Sequence, residues 1–254
     1  MEERSKKIPL VLLSGGLDST LALAETLKES TCDVIYIAGR QGPRKVMCEK
    51  NAVKNILGYL NALVEDPNNP TAIRHKVNHV SYKNLDNEDI MFRGGFQQVM
   101  YWIVGAMNHI ANNQYNERYS SVVLSYLLDD QMATFHQTLE LAWDNLGKIC
   151  TTGLPPLSFP LLKMTKASVI GSYLDNPSME ELLKLTWTCE LPHTPEELKA
   201  LQAGEPIPDR TSVENPEFVA CGVCVACEHQ QSGYRHHENA KVFNRVFITA
   251  NRWP

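Results

Sequence analysis

Leu10–Thr20 reads LVLLSGGLDST. An apolar run of strand length stops at Ser14-Gly15-Gly16, and the chain resumes with Leu17, Leu21 and Ala24 at helical spacing. A glycine turn at the carboxyl end of a strand, opening a helix, aims backbone N–H groups and the positive helix end at one point, which is an anion site. Gly15 and Gly16 allow close backbone approach, while Ser14, Ser19 and Thr20 supply hydroxyl donors. No lysine follows the glycines, so this is not the GxxxxGK[ST] loop. Asp18 repels bare phosphate but suits a magnesium ion bridging phosphates. The plainer alternative is an ordinary helix start, with Ser14 or Asp18 as cap and the glycines as a turn.

Working outward, apolar runs of strand length recur at Ile8–Leu13, Asp33–Ala38, Ala72–Val80, Ser121–Leu127 and Leu157–Leu162. Between them, Leu17–Lys28, Gln97–Ile110 and Gln131–Leu146 carry helical periodicity. Strands alternating with helices predict an α/β fold, with a parallel sheet covered by helices on both faces. Glu65–Thr71, EDPNNPT, reads as a surface connection. From Pro177 the pattern turns to short helical pieces, prolines and cysteines, which predicts a nucleotide-binding domain over 1–176 and a smaller region over 177–254.

A chain of 254 residues with 43% hydrophobic residues can bury a large core without disulfides. The start, MEERSKKIPL, is charged where a signal peptide would be apolar, and the apolar runs are too short to span a membrane. A cytoplasmic location is therefore expected, with no membrane partner. The net charge of -5 argues against a nucleic-acid partner, since such proteins present a basic patch or stripe.

Of seven cysteines, Cys32, Cys48 and Cys150 stand alone and are expected to be small buried hydrophobes. Cys221-Gly-Val-Cys224-Val-Ala-Cys227 places three thiols close together, and Cys189 can supply the fourth ligand of a tetrahedral zinc site. Four thiolates leave no open position for water, so that zinc is structural. Buried free thiols, or a redox pair using CxxC, are the alternatives.

SGGLDS after the first strand resembles the phosphate loop of the N-type ATP pyrophosphatases, which split ATP into AMP and pyrophosphate. Taken with the cysteine pattern, the chain resembles the 7-cyano-7-deazaguanine synthase family. The resemblance implies a Rossmann-like core of the adenine nucleotide alpha hydrolase type, a C-terminal structural zinc site and usually a homodimer. It also implies the reaction: ATP adenylates 7-carboxy-7-deazaguanine, ammonia gives an amide, and a second ATP dehydrates it to the nitrile. Ser14, Gly15, Gly16, Leu17, Asp18, Ser19 and Thr20 match the loop that holds ATP, and Arg44 with Ala52 resembles the stretch after the second strand. Phe159-Pro160-Leu161 followed by Lys166 resembles the segment whose lysine faces the phosphates, so Asp18 and Lys166 are the expected catalytic pair. Without the resemblance, Lys166 reads as a solvated surface group. Cys189, Cys221, Cys224 and Cys227 match the zinc ligands one for one.

The region that reads the base departs from the family. Asp130 keeps the family's acid, either accepting hydrogen bonds from a guanine-like ring or capping the following helix. His136 and Thr138 stand where the family has a second acid and an arginine, and the segment Phe92–Gln97 offers only Arg93 to a substrate anion. Gln230 replaces an arginine after the last zinc cysteine, while Gly233 and Tyr234 keep the pattern. The segment 190–220 is longer than in ordinary members and can cover the site or meet a partner. The expected activity is thus a carbon–nitrogen ligase that adenylates a deazaguanine carboxylate and passes it to ammonia or a larger amine, ending at the amide or going on to the nitrile. The alternatives are a tRNA-modifying ATP pyrophosphatase and a protein that binds nucleotide without turnover.

Overall fold

The computed structural model describes residues 6–38, 42–84, 98–112, 117–150, 153–205 and 217–236. The chain runs β1 (Ile8–Leu12), α1 (Leu17–Glu29), β2 (Cys32–Ala38), α2 (Pro43–Glu65), β3 (Val77–Asn84), α3 (Gln98–Asn112) and β4 (Tyr119–Val123). It continues through α4 (His136–Ile149), β5 (Leu157–Ser158), α5 (Lys166–Leu174), α6 (Pro177–Lys184), α7 (Pro195–Ala203) and α8 (Val225–His236).

Side chains of a strand alternate between faces, so a sheet buried on both sides needs uninterrupted apolar runs. Leu10 and Leu12 pack with α3 and α4, through Val99, Ile103, Leu139 and Trp143. Val11 and Leu13 pack on the opposite face with α1, α2, α5 and α6. The five strands lie in the order β3-β2-β1-β4-β5, all parallel. This is the expected α/β architecture. The second of the two cores continues without a break into the C-terminal region, where it includes Trp187, the four clustered cysteines and Tyr234.

Four elements differ from the sequence reading, the first being β4, which covers Tyr119–Val123 instead of Ser121–Leu127. β3 begins at Val77 instead of Ala72, because the preceding residues are diverted: the N–H groups of Arg74 and His75 both donate to the Leu27 carbonyl at the end of α1. The expected helix over Gln131–Leu146 starts as a 3-10 turn at Gln131–Phe135, and only from His136 is it an α-helix. β5 has two residues, flanked by Pro155, Pro156 and Pro160, which have no N–H to extend a ladder. Cys32 and Cys48 are buried as expected, whereas Cys150, at the end of α4, is half-exposed. Among the described residues no helix is long and apolar enough to cross a membrane.

Candidate functional site

From β1 the chain steps to β2 and β3 on one side of the sheet, and β4 and β5 lie on the other. The carboxyl ends of β1 and β4 therefore open a crevice at the point where the strand order reverses, the place where open α/β sheets bind ligands. A cleft of about 360 Å³ lies there, lined among others by Ser14, Asp18, Trp102, Tyr126, Asp130 and Lys166.

The loop after β1 is held by its own hydroxyls. Ser14 Oγ accepts from the Gly16 N–H at 3.2 Å and lies 3.0 Å from Ser19 Oγ. Ser19 Oγ also accepts from the Ser14 N–H at 3.1 Å, and Thr20 donates to the Gly16 carbonyl at 2.8 Å. Gly15 has φ +78, a left-handed conformation, and a Cβ there would stand 2.9 Å from the Glu49 carbonyl oxygen. Ala52 lies against the same glycine, which is the packing reason for a small residue at that position. The N-cap of α1 is Gly16, with no side-chain cap bond, so neither Ser14 nor Asp18 serves as a helix cap.

Asp18 and Lys166 meet in the cleft, Lys166 Nζ lying 2.5 Å from Asp18 Oδ2. Lys166 is not a solvated surface lysine: it is 7% exposed, and its backbone N–H donates to the Asp129 carboxylate at 3.0 Å. Its stem lies against α8, where a Cβ on Gly233 would fall 2.7 Å from Lys166 Cγ. Burial pushes the Asp18 carboxyl above the usual carboxylate range, and the Lys166 ammonium pulls it part of the way back. Asp18 Oδ1 is buried without a hydrogen-bond partner. A buried, unpartnered carboxylate oxygen beside a loop of hydroxyls is an oxygen-donor set suited to a hard cation such as magnesium.

A second carboxylate enters the cleft from α2. Glu49 is 5% exposed, and its Oε2 accepts from the Tyr36 hydroxyl at 2.8 Å. Burial pushes its carboxyl up to about 7, against the pull of Lys45 Nζ, 3.8 Å from Oε1, and of the Tyr36 bond. A carboxyl raised in the folded state favours folding in its protonated form, so that contribution is complete below the ordinary value and is lost as pH rises through about 7. At pH 8 the ionised group costs on the order of 3 kcal/mol. Glu49→Gln, which cannot ionise, is expected to raise the thermal unfolding midpoint at pH 8, and the gain should shrink by pH 5. Equal differences at both pH values would show that Glu49 titrates as an ordinary glutamate.

One wall of the cleft is aromatic. Trp102 from α3 and Tyr126 after β4 stack with centroids 6.2 Å apart and planes 29° apart. Asp130 lines the cleft beside them, and its Oδ2 accepts from the Leu127 N–H at 2.8 Å. It stands at the N-cap position of the 3-10 turn but makes no side-chain cap bond. His136 turns away to the Ala133 carbonyl at 2.6 Å and Thr138 is exposed on α4, and neither lines the cleft. Arg93 lies outside the described residues, as does the whole Phe92–Gln97 segment. Arg44 is directed elsewhere: its Nη1 pairs with Glu197 Oε2 on α7 at 2.7 Å, and its guanidinium lies 5.2 Å from the Phe218 ring centroid.

The long segment after Cys189 is thereby tied to α2, beside the cleft. It is closed by an antiparallel bridge between His193 and Val219, while residues 206–216 lie outside the described set. The residues flanking Cys189 reach the cleft: Trp187 and Thr188 before it and Glu190 after it line the cleft, and the Trp187 N–H donates to the Gly15 carbonyl at 2.7 Å. Thr188 donates to Gln230, which fills a cleft position from α8.

Cys189, Cys221, Cys224 and Cys227 are all buried, and their sulfurs lie within 4.8 Å of one another, a group that could hold a metal ion such as zinc. Cys189 Sγ and Cys221 Sγ are 3.6 Å apart. Bonds of about 2.3 Å around a tetrahedral zinc put sulfurs about 3.8 Å apart. Backbone N–H groups of Cys221, Cys224 and Glu190 donate to Cys189, Cys221 and Cys224 respectively, which favours the thiolate form a metal requires.

No family model and no curated protein matches this chain. Its likeness to the deazaguanine synthases rests on the residues quoted above.

The structure also brings Lys45, Glu49, Trp102, Tyr126, Glu190 and His229 into the cleft. For Glu49 there was a signal in the sequence, because it falls on the apolar stripe of α2 with Ala52, Val53 and Ile56, where an acid is out of place. Trp102 has no such signal, since an aromatic on an amphipathic helix is ordinary core.

Proposed function

We propose that the chain cleaves ATP between the α and β phosphates to adenylate a 7-deazaguanine carboxylate, and then passes the acyl group to an amine. The observation that supports this most is the Asp18–Lys166 pair: a buried carboxylate with one unpartnered oxygen, joined to a buried lysine, at a hydroxyl-lined loop on the crevice of a parallel sheet. A substrate carboxylate oxygen attacks the α-phosphorus, the bond to the bridging oxygen breaks, and pyrophosphate leaves with the electron pair. The chain's task is positioning and charge stabilisation, with no protein nucleophile.

Asp18 is the residue that would hold Mg²⁺, which when bound neutralises charge on the phosphate oxygens. Ser14, Ser19 and the backbone of Gly16 and Leu17 orient those oxygens. Lys166, held in the cleft by its pair with Asp18, would offset the charge that grows on the departing pyrophosphate. The Trp102–Tyr126 wall and Asp130 suit a flat heteroaromatic ring with N–H donors. Zinc on the four cysteines holds the C-terminal part in place, and a homodimer belongs to the same proposal.

With ATP, magnesium and 7-carboxy-7-deazaguanine, the expected products are AMP and pyrophosphate, and formation should depend on the acid. ADP and phosphate would place the chain in another chemistry. With ammonium as the amine, the amide is expected to dominate, because no side chain of the described cleft replaces the family's second acid and arginine, and each such charge-assisted bond is worth roughly 1.5–3 kcal/mol. Efficient nitrile formation at two ATP per product would sink that part and restore the full synthase. Product mass reads both outcomes.

A further inference from the structure

We propose that Glu49 is the proton acceptor for the amine that attacks the adenylate, an inference that rests on the adenylation reading above. The cleft holds two separate charge clusters. Asp18 is acted on by Lys166, Asp130 and His229, whereas Glu49 is acted on by Lys45, Tyr36 and Glu190. The adenylation reading gives the first cluster a role and leaves the second without one.

Its position beside the loop gives Glu49 access to the acyl phosphate. The Glu49 backbone is packed against Gly15, and its side chain lines the cleft together with Ser14 and Ser19. One oxygen is tethered, Oε2 by the Tyr36 hydroxyl at 2.8 Å. The other, Oε1, is held only by a loose ion pair with Lys45 Nζ at 3.8 Å, which a closer donor can replace. Lys45 is equally far, 3.8 Å, from Glu190 Oε1, and Glu190 stands at the rim with its side chain 52% exposed. Two carboxyl groups around one ammonium repel the phosphates toward Asp18 and Lys166 and leave this side of the cleft to the neutral amine that carries the lone pair.

The step balances as follows in atoms and electrons. The amine lone pair forms the C–N bond to the acyl carbon, and the N–H proton passes to Glu49 Oε1. The carbonyl re-forms as the C–O bond to AMP breaks, and AMP leaves with that electron pair. Glu49 then releases its proton to water. AMP needs no acid to depart, but the added amine is cationic until it loses its proton and otherwise reverts, so a base is the missing part. Burial brings Glu49 to about 7, matched to accept a proton at neutral pH. Tyr36 from β2 and Lys45 from α2 favour its charged form, and Glu190 from the segment after α6 opposes it.

Single-turnover kinetics on the full chain test this, with pyrophosphate and amide followed separately. Glu49→Gln is expected to release the same pyrophosphate burst, while amide formation with ammonia falls roughly 100-fold or more. Hydroxylamine, a strong nucleophile that needs little proton removal, should restore the variant to within a few-fold of the native chain. In rates referred to free ammonia, amide formation by the native chain should fall roughly tenfold per pH unit below about 7, and this limb should vanish in Glu49→Gln. Tyr36→Phe removes a donor that favours the carboxylate and should move the limb to higher pH. An unchanged amide rate in Glu49→Gln, or equal slowing of burst and amide, would overturn the assignment while leaving adenylation intact. Absence of any burst in the native chain would overturn the adenylation reading itself, and the base with it.

Discussion

Asp18→Asn is expected to slow AMP formation by roughly 100- to 1,000-fold while the chain stays folded. Asparagine has the same shape, and its carbonyl oxygen can still accept from Lys166 Nζ, which now lies 2.5 Å from Oδ2. What is lost is the charge that a magnesium ion needs and that keeps Lys166 in place before the phosphates arrive. Stability should not suffer, because Asp18 caps no helix and burial already disfavours its ionised form. AMP and pyrophosphate release, measured alongside the thermal unfolding midpoint, separates the two effects. Full turnover with a normal midpoint would show that the cation is held elsewhere. Lys166→Met should give a comparable loss, since the other lysine that lines the described cleft, Lys45, pairs with Glu49 and Glu190 and not with Asp18.

Cys224→Ser is expected to abolish metal binding and unravel the C-terminal part, against one zinc per chain in the native protein. Structural zinc sites bind with about 10–16 kcal/mol and net stabilities of whole domains are about 5–15 kcal/mol, so a lost site removes an energy comparable to the net stability of the fold. Activity should go with it, although the thiols lie outside the cleft. The cysteines anchor the segment bearing Trp187, Thr188 and Glu190, and α8, which carries His229 and Gln230 into the cleft and packs Gly233 against Lys166. Metal content by mass spectrometry and limited proteolysis of 177–254 read the two consequences. Retained metal in Cys224→Ser would mean a different ligand set, for which Cys48 is the nearest spare thiol: burial and the neighbouring Cys189 push it up to about 12.

The amino-acid sequence by itself determined the layered α/β architecture, the loop after β1 and the four-cysteine group. Each of these is written in a local pattern: an uninterrupted apolar run for a strand buried on both faces, a glycine turn before a helix, and thiols at ligand spacing. The edges of elements were less legible. Ala72 and Ile73 read as a strand start, but the Leu27 carbonyl at the end of α1 takes the N–H groups of Arg74 and His75, and that competitor is distant in sequence from the ladder it displaces. Tertiary structure alone decided which charges share the cleft. Arg44 sits in a stretch that resembles a ligand-facing one, yet Glu197, from the long segment after Cys189, captures it. Glu49, five residues further on the same helix, faces the cleft, and its burial sets its proton affinity. Helical periodicity tells which face of α2 turns inward, but not what stands opposite each position. The strength of a charge depends on that opposite surface, on its dielectric and its partners, and these come from α7, β2 and the cysteine-held segment only once the chain has folded.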